Sequence, residues 1–148
     1  MVINVVTGAP CVGKSTYIAK HAKENDVVVD FDRIAAALCF RKSHDFPPLA
    51  GDVAQVLFMT AIDACAMRKD AGADGDVWIE FAWVGDRERL VFKSLGAVWH
   101  NLEAPKKTCL ERAERDRRPA RSVNGIHSYF QYHRDPGEDD EQEARNGR

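Results

Sequence analysis

Val2-Ile3-Asn4-Val5-Val6-Thr7 runs into Gly8-Ala9-Pro10-Cys11-Val12-Gly13-Lys14-Ser15-Thr16, and the reading of this stretch decides the fold. The first six residues are largely apolar and end at a glycine, which suits a strand buried in a parallel sheet. From Lys14 to about Glu24 the pattern is helical. Between strand and helix, Gly8–Ser15 satisfies GxxxxGK[ST] in the strand–loop–helix context that gives the motif its meaning. The glycines let backbone N–H groups approach phosphates closely, and the helix N-terminus adds partial positive charge. Lys14 is placed to reach the β- and γ-phosphates, and the Ser15 hydroxyl to take a position on Mg²⁺. Gly8, Ala9, Pro10, Cys11, Val12, Gly13, Lys14, Ser15 and Thr16 are therefore the expected phosphate-binding residues of a nucleotide site.

Outward from the loop, strands and helices alternate. Val27–Val29 reads as a second short strand, followed by Asp30-Phe31-Asp32 and a helix over about 33–40. Arg41–Ala50, with Phe46-Pro47-Pro48, reads as irregular, because consecutive prolines lack donors and restrict their predecessors. Apolar residues then recur at helical spacing from Val53 to about Asp70, and 71–76 is a turn rich in Gly and Asp. Val77–Phe81 is a third strand, Asp86–Leu95 a helix stopped by Gly96, and Ala97–Leu102 a fourth strand. Pro105 fits the first position of a helix running to about Arg117, Pro119 breaks it, and a last helix covers Ser122–His133. Such alternation predicts an α/β fold with a mostly parallel sheet and helices on both faces, so ligands belong beyond the carboxyl ends of the strands. The predicted organisation is one domain over 1–134 and a disordered acidic tail over 135–148.

Composition narrows the setting. The chain has 148 residues, enough to bury about two thirds of its unfolded surface without a metal or disulfide staple. Four scattered cysteines, with no CxxC pair, suit a reduced, cytoplasmic protein. Cys11 reads as a small residue tolerated in the loop, or as a redox sensor. The longest apolar run is the seven residues Ile34–Phe40, which predicts no membrane span. The formal net charge is −2, yet residues 135–148 hold six acids against two arginines. Seven Lys or Arg against three acids fall within 106–121. That segment is either a phosphate-facing patch or a solvated helix face.

Candidate chemistry follows the strand ends. Asp32 is placed to accept the proton of an attacking hydroxyl; it also suits the N-cap of a helix starting at Arg33, and Asp30 is its rival for the first role. Glu80, ending the third strand, is a candidate to hold Mg²⁺ or a structural acid. Trp83 is placed either to stack on an acceptor base or to pack under a helix. Among Arg112, Arg115, Arg117, Arg118 and Arg121, the better candidates for a lid over the nucleotide are Arg117 and Arg118, because they leave the i,i+4 ladder beside Pro119.

With GAPCVGKSTY, VVVDFDR, VWIEFAWVGDRERL and LERAERDRRPARSV in this order, the chain resembles the kinase domain of polynucleotide 5′-hydroxyl kinases, and more broadly the small P-loop kinases related to adenylate kinase. The resemblance spans nearly all of residues 1–134. It implies a P-loop kinase fold with a four-stranded parallel sheet and an arginine-bearing lid, with ATP and Mg²⁺ as donor and cofactor. It maps the general base onto Asp32 and a phosphate-clamping arginine onto Arg117. The arginine that holds the acceptor in that family falls here on Ala35, leaving Arg33 or Arg41 to substitute. The expected activity is transfer of the γ-phosphate of ATP to a hydroxyl, foremost the 5′-hydroxyl of a nucleic acid. A small-molecule kinase (nucleoside, nucleotide or sugar) and a regulatory ATPase are the alternatives. On this reading Lys14, Asp32 and Arg117 are catalytic; Arg117 and Arg118 also touch the nucleotide; Ser15 and Glu80 hold the metal; and Asp32, Arg33 and Trp83 meet the acceptor.

Overall fold

The computed structural model describes residues 1–41, 44–69, 72 and 74–137. Four strands, β1 (Ile3–Thr7), β2 (Val27–Val29), β3 (Val77–Phe81) and β4 (Val98–Asn101), form one sheet in the order β2-β3-β1-β4. Every pairing is parallel, with Val6 beside Glu80 and Thr7 beside Phe81. The helices are α1 (Lys14–His21), α2 (Phe31–Ala37), α3 (Pro48–Lys69), α4 (Asp86–Ser94), α5 (Lys106–Arg115) and α6 (Ala120–Tyr132).

Strand alternation sends successive side chains to opposite faces, and the core divides accordingly. Ile3, Val5, Val77 and Ile79 join Phe58 and Ile62 of α3 and Phe92 of α4 on one face. Val6 and Trp78 meet Ile18 of α1 on the other. Ala9 and Val12 of the phosphate loop pack against Cys109, Ala113 and Ile126 of α5 and α6. Each larger apolar side chain so buried contributes about 1.5–3 kcal/mol. The helix after β1 thus lies on one face and the helix after β3 on the other, which opens a crevice beyond the carboxyl ends of these two adjacent strands. Helices cover both faces of the sheet, as expected.

The starts of α2 and α3 differ from the sequence reading. Helix α2 begins at Phe31 rather than Arg33, because Asp30 is its N-cap and accepts from the N–H groups of Asp32 (2.9 Å) and Arg33 (3.2 Å). Helix α3 begins at Pro48, inside the segment predicted to be irregular. A proline at the first helical position loses no bond, since that N–H has no intrahelical partner anyway. At 22 residues, α3 is also long and apolar enough to cross a membrane by length and composition, although Ala54, Phe58 and Ile62 bury a stripe within the fold. The acidic segment 138–148 and part of the turn at 71–76 lie outside the described residues. Asp135 folds back, accepting from the N–H of Lys106 at the start of α5 (3.0 Å).

Candidate active site

The phosphate loop is built by conformations that few residues reach. Gly8 has φ 145°, and a Cβ there would stand 2.4 Å from the Leu102 carbonyl oxygen. Gly13 has φ 108°, and Cys11 is in the left-handed region at φ 63°. Pro10 to Thr16 line a cleft of about 1520 Å³, with the buried Gly8 and Ala9 beneath them. Lys14 is buried, its Nζ donating to the carbonyls of Gly8 and Ala9 (3.0 Å each) and standing 3.8 Å from Glu80. Burial pushes the Lys14 ammonium below its ordinary pKa, and Glu80 only partly offsets that. Burial also raises the Cys11 thiol against the pull of Arg118, Lys14 and Arg112, so the side chain behaves as a small neutral group rather than a thiolate.

Glu80, held beside Val6 by the β1–β3 register, accepts from the Ser15 hydroxyl at 3.0 Å. Burial raises its pKa, with Lys14 opposing and Asp30 and Asp32 adding to the rise. Among the described residues no three His, Cys, Asp or Glu side chains gather as a metal site. Two hard oxygen donors next to a phosphate loop fit Mg²⁺, which keeps water and phosphate oxygens for most of its shell.

Asp32 lies one residue into α2, in the same cleft. With the cap supplied by Asp30, its carboxylate is not spent on the helix. It bonds His44 Nδ1 at 2.7 Å through one oxygen, and its other oxygen is 3.9 Å from an Arg121 nitrogen. Burial pushes this carboxyl up, but the His44 hydrogen bond, with His44, Arg121 and Arg118 as positive neighbours, outweighs it and leaves the pKa below the ordinary carboxylate range. Arg121 also donates to the His44 carbonyl and lies 3.4 Å above the centroid of Phe46, whose ring meets Phe31 edge-on. Trp83, 54% exposed, lines the cleft with its ring edge-on to Tyr132 and His133 at the end of α6.

Two expected site residues lie elsewhere. Arg117 is exposed and outside the cleft lining. Helix α5 ends in a Schellman turn: Arg118 N–H bonds Ala113 (2.9 Å), Arg117 N–H bonds Glu114 (3.0 Å), and Arg117 takes the left-handed position at φ 50°. That turn carries Arg118 into the cleft wall and leaves Arg117 outside. Arg33 is exposed as well, whereas Ala35, the position mapped to the acceptor arginine, is fully buried. Arg121 supplies a guanidinium near Asp32 from α6 instead. Arg112 was not favoured by sequence because it lies within the helical ladder. It donates from one guanidinium nitrogen to the carbonyls of Val12 (2.8 Å) and Cys11 (3.3 Å), tying α5 to the phosphate loop.

No family model matches the chain, and no curated protein matches it. Among solved structures it is similar to the tunicamycin resistance protein of Deinococcus radiodurans, at 20% identity and a TM-score of 0.51. The match covers 92% of this chain and 86% of that one. This likeness concerns the fold, an α/β P-loop kinase-like architecture with a four-stranded parallel sheet.

Proposed function

We propose that this chain is an ATP-dependent phosphotransferase whose acceptor is the hydroxyl of a small, largely neutral molecule. The observation that carries the reading is that one cleft holds both the phosphate loop with Lys14 and, beside it, the Asp32–His44 pair. At about 1520 Å³ the cleft exceeds the ~300–1,000 Å³ of ordinary single-ligand sites, and so has room for donor and acceptor together.

The loop residues bind the triphosphate through backbone N–H groups, while Lys14 neutralises the β/γ end. Ser15 and Glu80 are the residues that would hold Mg²⁺, which when bound supplies further neutralisation of phosphate charge. Arg118 on the cleft wall is the cation best placed to meet charge growing on the transferred group, with Arg112 behind it fixing the loop. The Asp32–His44 pair receives the acceptor hydroxyl. A further part of the lining comes from α2, the α2–α3 connection, α3, the β3–α4 connection and the start of α4. It is aromatic at Phe31, Phe46 and Trp83, and acidic or neutral at Asp52, Gln55 and Glu88. Such a wall suits a flat or partly apolar molecule and repels a polyanion.

A 5′-hydroxyl polynucleotide acceptor is the second reading, favoured by Arg115, Arg118 and Arg121 along one side of the cleft. The two are separated by offering γ-labelled ATP to a panel of nucleosides, nucleoside monophosphates, sugars, 5′-hydroxyl oligonucleotides and tunicamycin, the last because the structural neighbour's name refers to it. A neutral acceptor should be labelled with a KM that hardly responds to salt. Labelling of oligonucleotides, weakening with salt on a slope of about two or three phosphates, would instead establish the second reading. Lys14→Ala should abolish transfer in either case, and near-normal transfer by a folded Lys14→Ala protein would refute both.

A further inference from the structure

His44 lies between Arg41 and Asp45 in the connection between α2 and α3, and nothing in its local sequence marks it as chemical. Its position in space does. It lines the cleft, its side chain is 24% exposed, and its Nδ1 is 2.7 Å from Asp32 Oδ2. A carboxylate only accepts, so with neutral imidazole the shared proton sits on Nδ1 and Nε2 is left as the basic lone pair. Two further contacts fix the arrangement: Arg121 donates to the His44 carbonyl and stands 3.9 Å from the other Asp32 oxygen. His44 also holds φ 70°, a left-handed backbone that a non-glycine residue adopts only where its surroundings over-determine it.

We propose that His44 is the general base of the phosphoryl transfer and that Asp32 is its positioning residue, a role that rests on the phosphotransferase reading above. As the acceptor oxygen attacks the γ-phosphorus, the O–H proton passes to His44 Nε2. The new O–P bond forms, the bond from the γ-phosphorus to the β–γ bridging oxygen breaks, and ADP leaves with that electron pair. The imidazolium formed is stabilised by the Asp32 carboxylate and returns its proton to water after product release. Asp32 alone is a poorer base, because one of its oxygens already accepts from His44 Nδ1 and the other faces the Arg121 guanidinium. The charged groups around the pair are Arg121 from α6, Arg118 from the α5–α6 turn, Lys14 and Glu80 from the loop side, and the exposed Arg41–Asp45 ion pair.

The test uses the full chain with His44→Asn. Asparagine tolerates the left-handed backbone, and its amide nitrogen replaces Nδ1 as donor to Asp32, while nothing replaces Nε2. If His44 is the base, His44→Asn lowers kcat by about 10²-fold or more. The wild-type rate then rises with pH as the base loses its proton, and the variant loses that limb. If His44 merely orients an Asp32 base, His44→Asn stays within about threefold of wild type and the proposal is overturned. An independent reading needs no acceptor: long-range ¹⁵N–¹H correlation spectra should show the His44 proton on Nδ1, moving toward Nε2 in Asp32→Asn. A wild-type ring protonated on Nε2 overturns the dyad while leaving phosphotransfer intact. A wild type with the expected tautomer that labels no acceptor overturns the phosphotransferase reading, and the base role with it.

Discussion

Replacing Arg112 by methionine keeps the apolar stem and removes the guanidinium that ties α5 to the phosphate loop. The wild-type contact is one nitrogen shared between the Val12 carbonyl at 2.8 Å and the Cys11 carbonyl at 3.3 Å. A hydrogen bond from a charged donor contributes about 1.5–3 kcal/mol. The lower end applies here, because the donor is shared and the site is only part-buried. Both freed carbonyls border the cleft, so water can solvate them and little desolvation penalty is added. The loop also holds Cys11 at φ 63°, a conformation that relaxes once the tie is cut. Re-forming the loop around a triphosphate then costs about 1.5 kcal/mol, which is roughly tenfold in ATP affinity. The thermal midpoint should fall by about 3–6 °C. Calorimetric titration with a non-hydrolysable ATP analogue and a thermal melt measure the two effects. Lys107→Met is the control, since Lys107 is exposed on the same helix and lies outside the cleft lining. ATP affinity within twofold of wild type, with an unchanged midpoint, would refute the idea that Arg112 holds the loop. Lost affinity with unchanged stability would assign Arg112 to the phosphates directly.

The two aspartates after β2 should separate by rate: Asp30→Ala costs about 1 kcal/mol of stability through the lost cap and leaves transfer within a few-fold of wild type, while Asp32→Asn lowers transfer by about 10²-fold. A rate loss of about 10²-fold in Asp30→Ala with near-normal transfer in Asp32→Asn would reassign both. Arg117→Gly should raise stability by about 1 kcal/mol, by relieving the left-handed residue at the end of α5, and leave the rate unchanged. Arg118→Ala should lower kcat more than ATP binding; a rate loss at Arg117 rather than Arg118 contradicts this assignment. Asp26 accepts from the N–H groups of Asp76 and Lys23 and from Trp78 Nε1. These bonds hold its carboxyl below the ordinary range, as His44 and its neighbours do for Asp32 against burial. A depressed folded-state pKa gives stability that is present above the unfolded value of about 4 and lost as pH falls through the folded one. Denaturant melts from pH 6 down to 2 should therefore show an acid loss that is shallower in Asp26→Asn, and identical curves would show that Asp26 contributes nothing. Glu80 acts in the opposite sense, since burial raises its pKa and its protonation favours the folded state as pH falls.

What the sequence made readable was what a few adjacent residues settle among themselves. Gly8 to Ser15 specify their own geometry, and the strand that precedes them is a plain apolar run, so the donor half of the site was legible. Asp30 and Asp32 could not be ranked, because either carboxylate suits a cap; only the helix start at Phe31 decides which one is consumed by it. Pro48 misled for a related reason: a proline breaks a helix anywhere but at its first turn, and its place in the turn is fixed by packing. Arg117 and Arg118 both leave the helical ladder and only the resemblance points to Arg117, so which of the two neighbours faces the cleft depends on the handedness of a single residue. Arg112 and Arg121 stood out only as members of a basic cluster and His44 not at all, since their partners stand 100, 77 and 12 residues away.

This division follows from the chemistry of the two ligands. A triphosphate presents the same charges and spacing to every protein, so one contiguous loop of backbone N–H groups and a lysine is a sufficient answer, and it is written in one place. An acceptor hydroxyl is presented on whatever molecule carries it, so its site must be assembled from whichever elements surround the crevice; under the proposed function these are Asp32 on α2, His44 on the connection to α3, Trp83 after β3 and Arg121 on α6. Substitutions among those four should therefore change which acceptor is used while leaving ATP affinity near its original value, whereas changes at Gly8, Lys14 or Arg112 should weaken ATP binding whatever the acceptor. Measuring ATP affinity and acceptor preference on the same set of variants separates the two groups. Trp83→Ala is the sharpest case, because its ring is half-exposed at the cleft and remote from the loop in sequence. A large loss of ATP affinity in Trp83→Ala, with acceptor preference unchanged, would contradict the division.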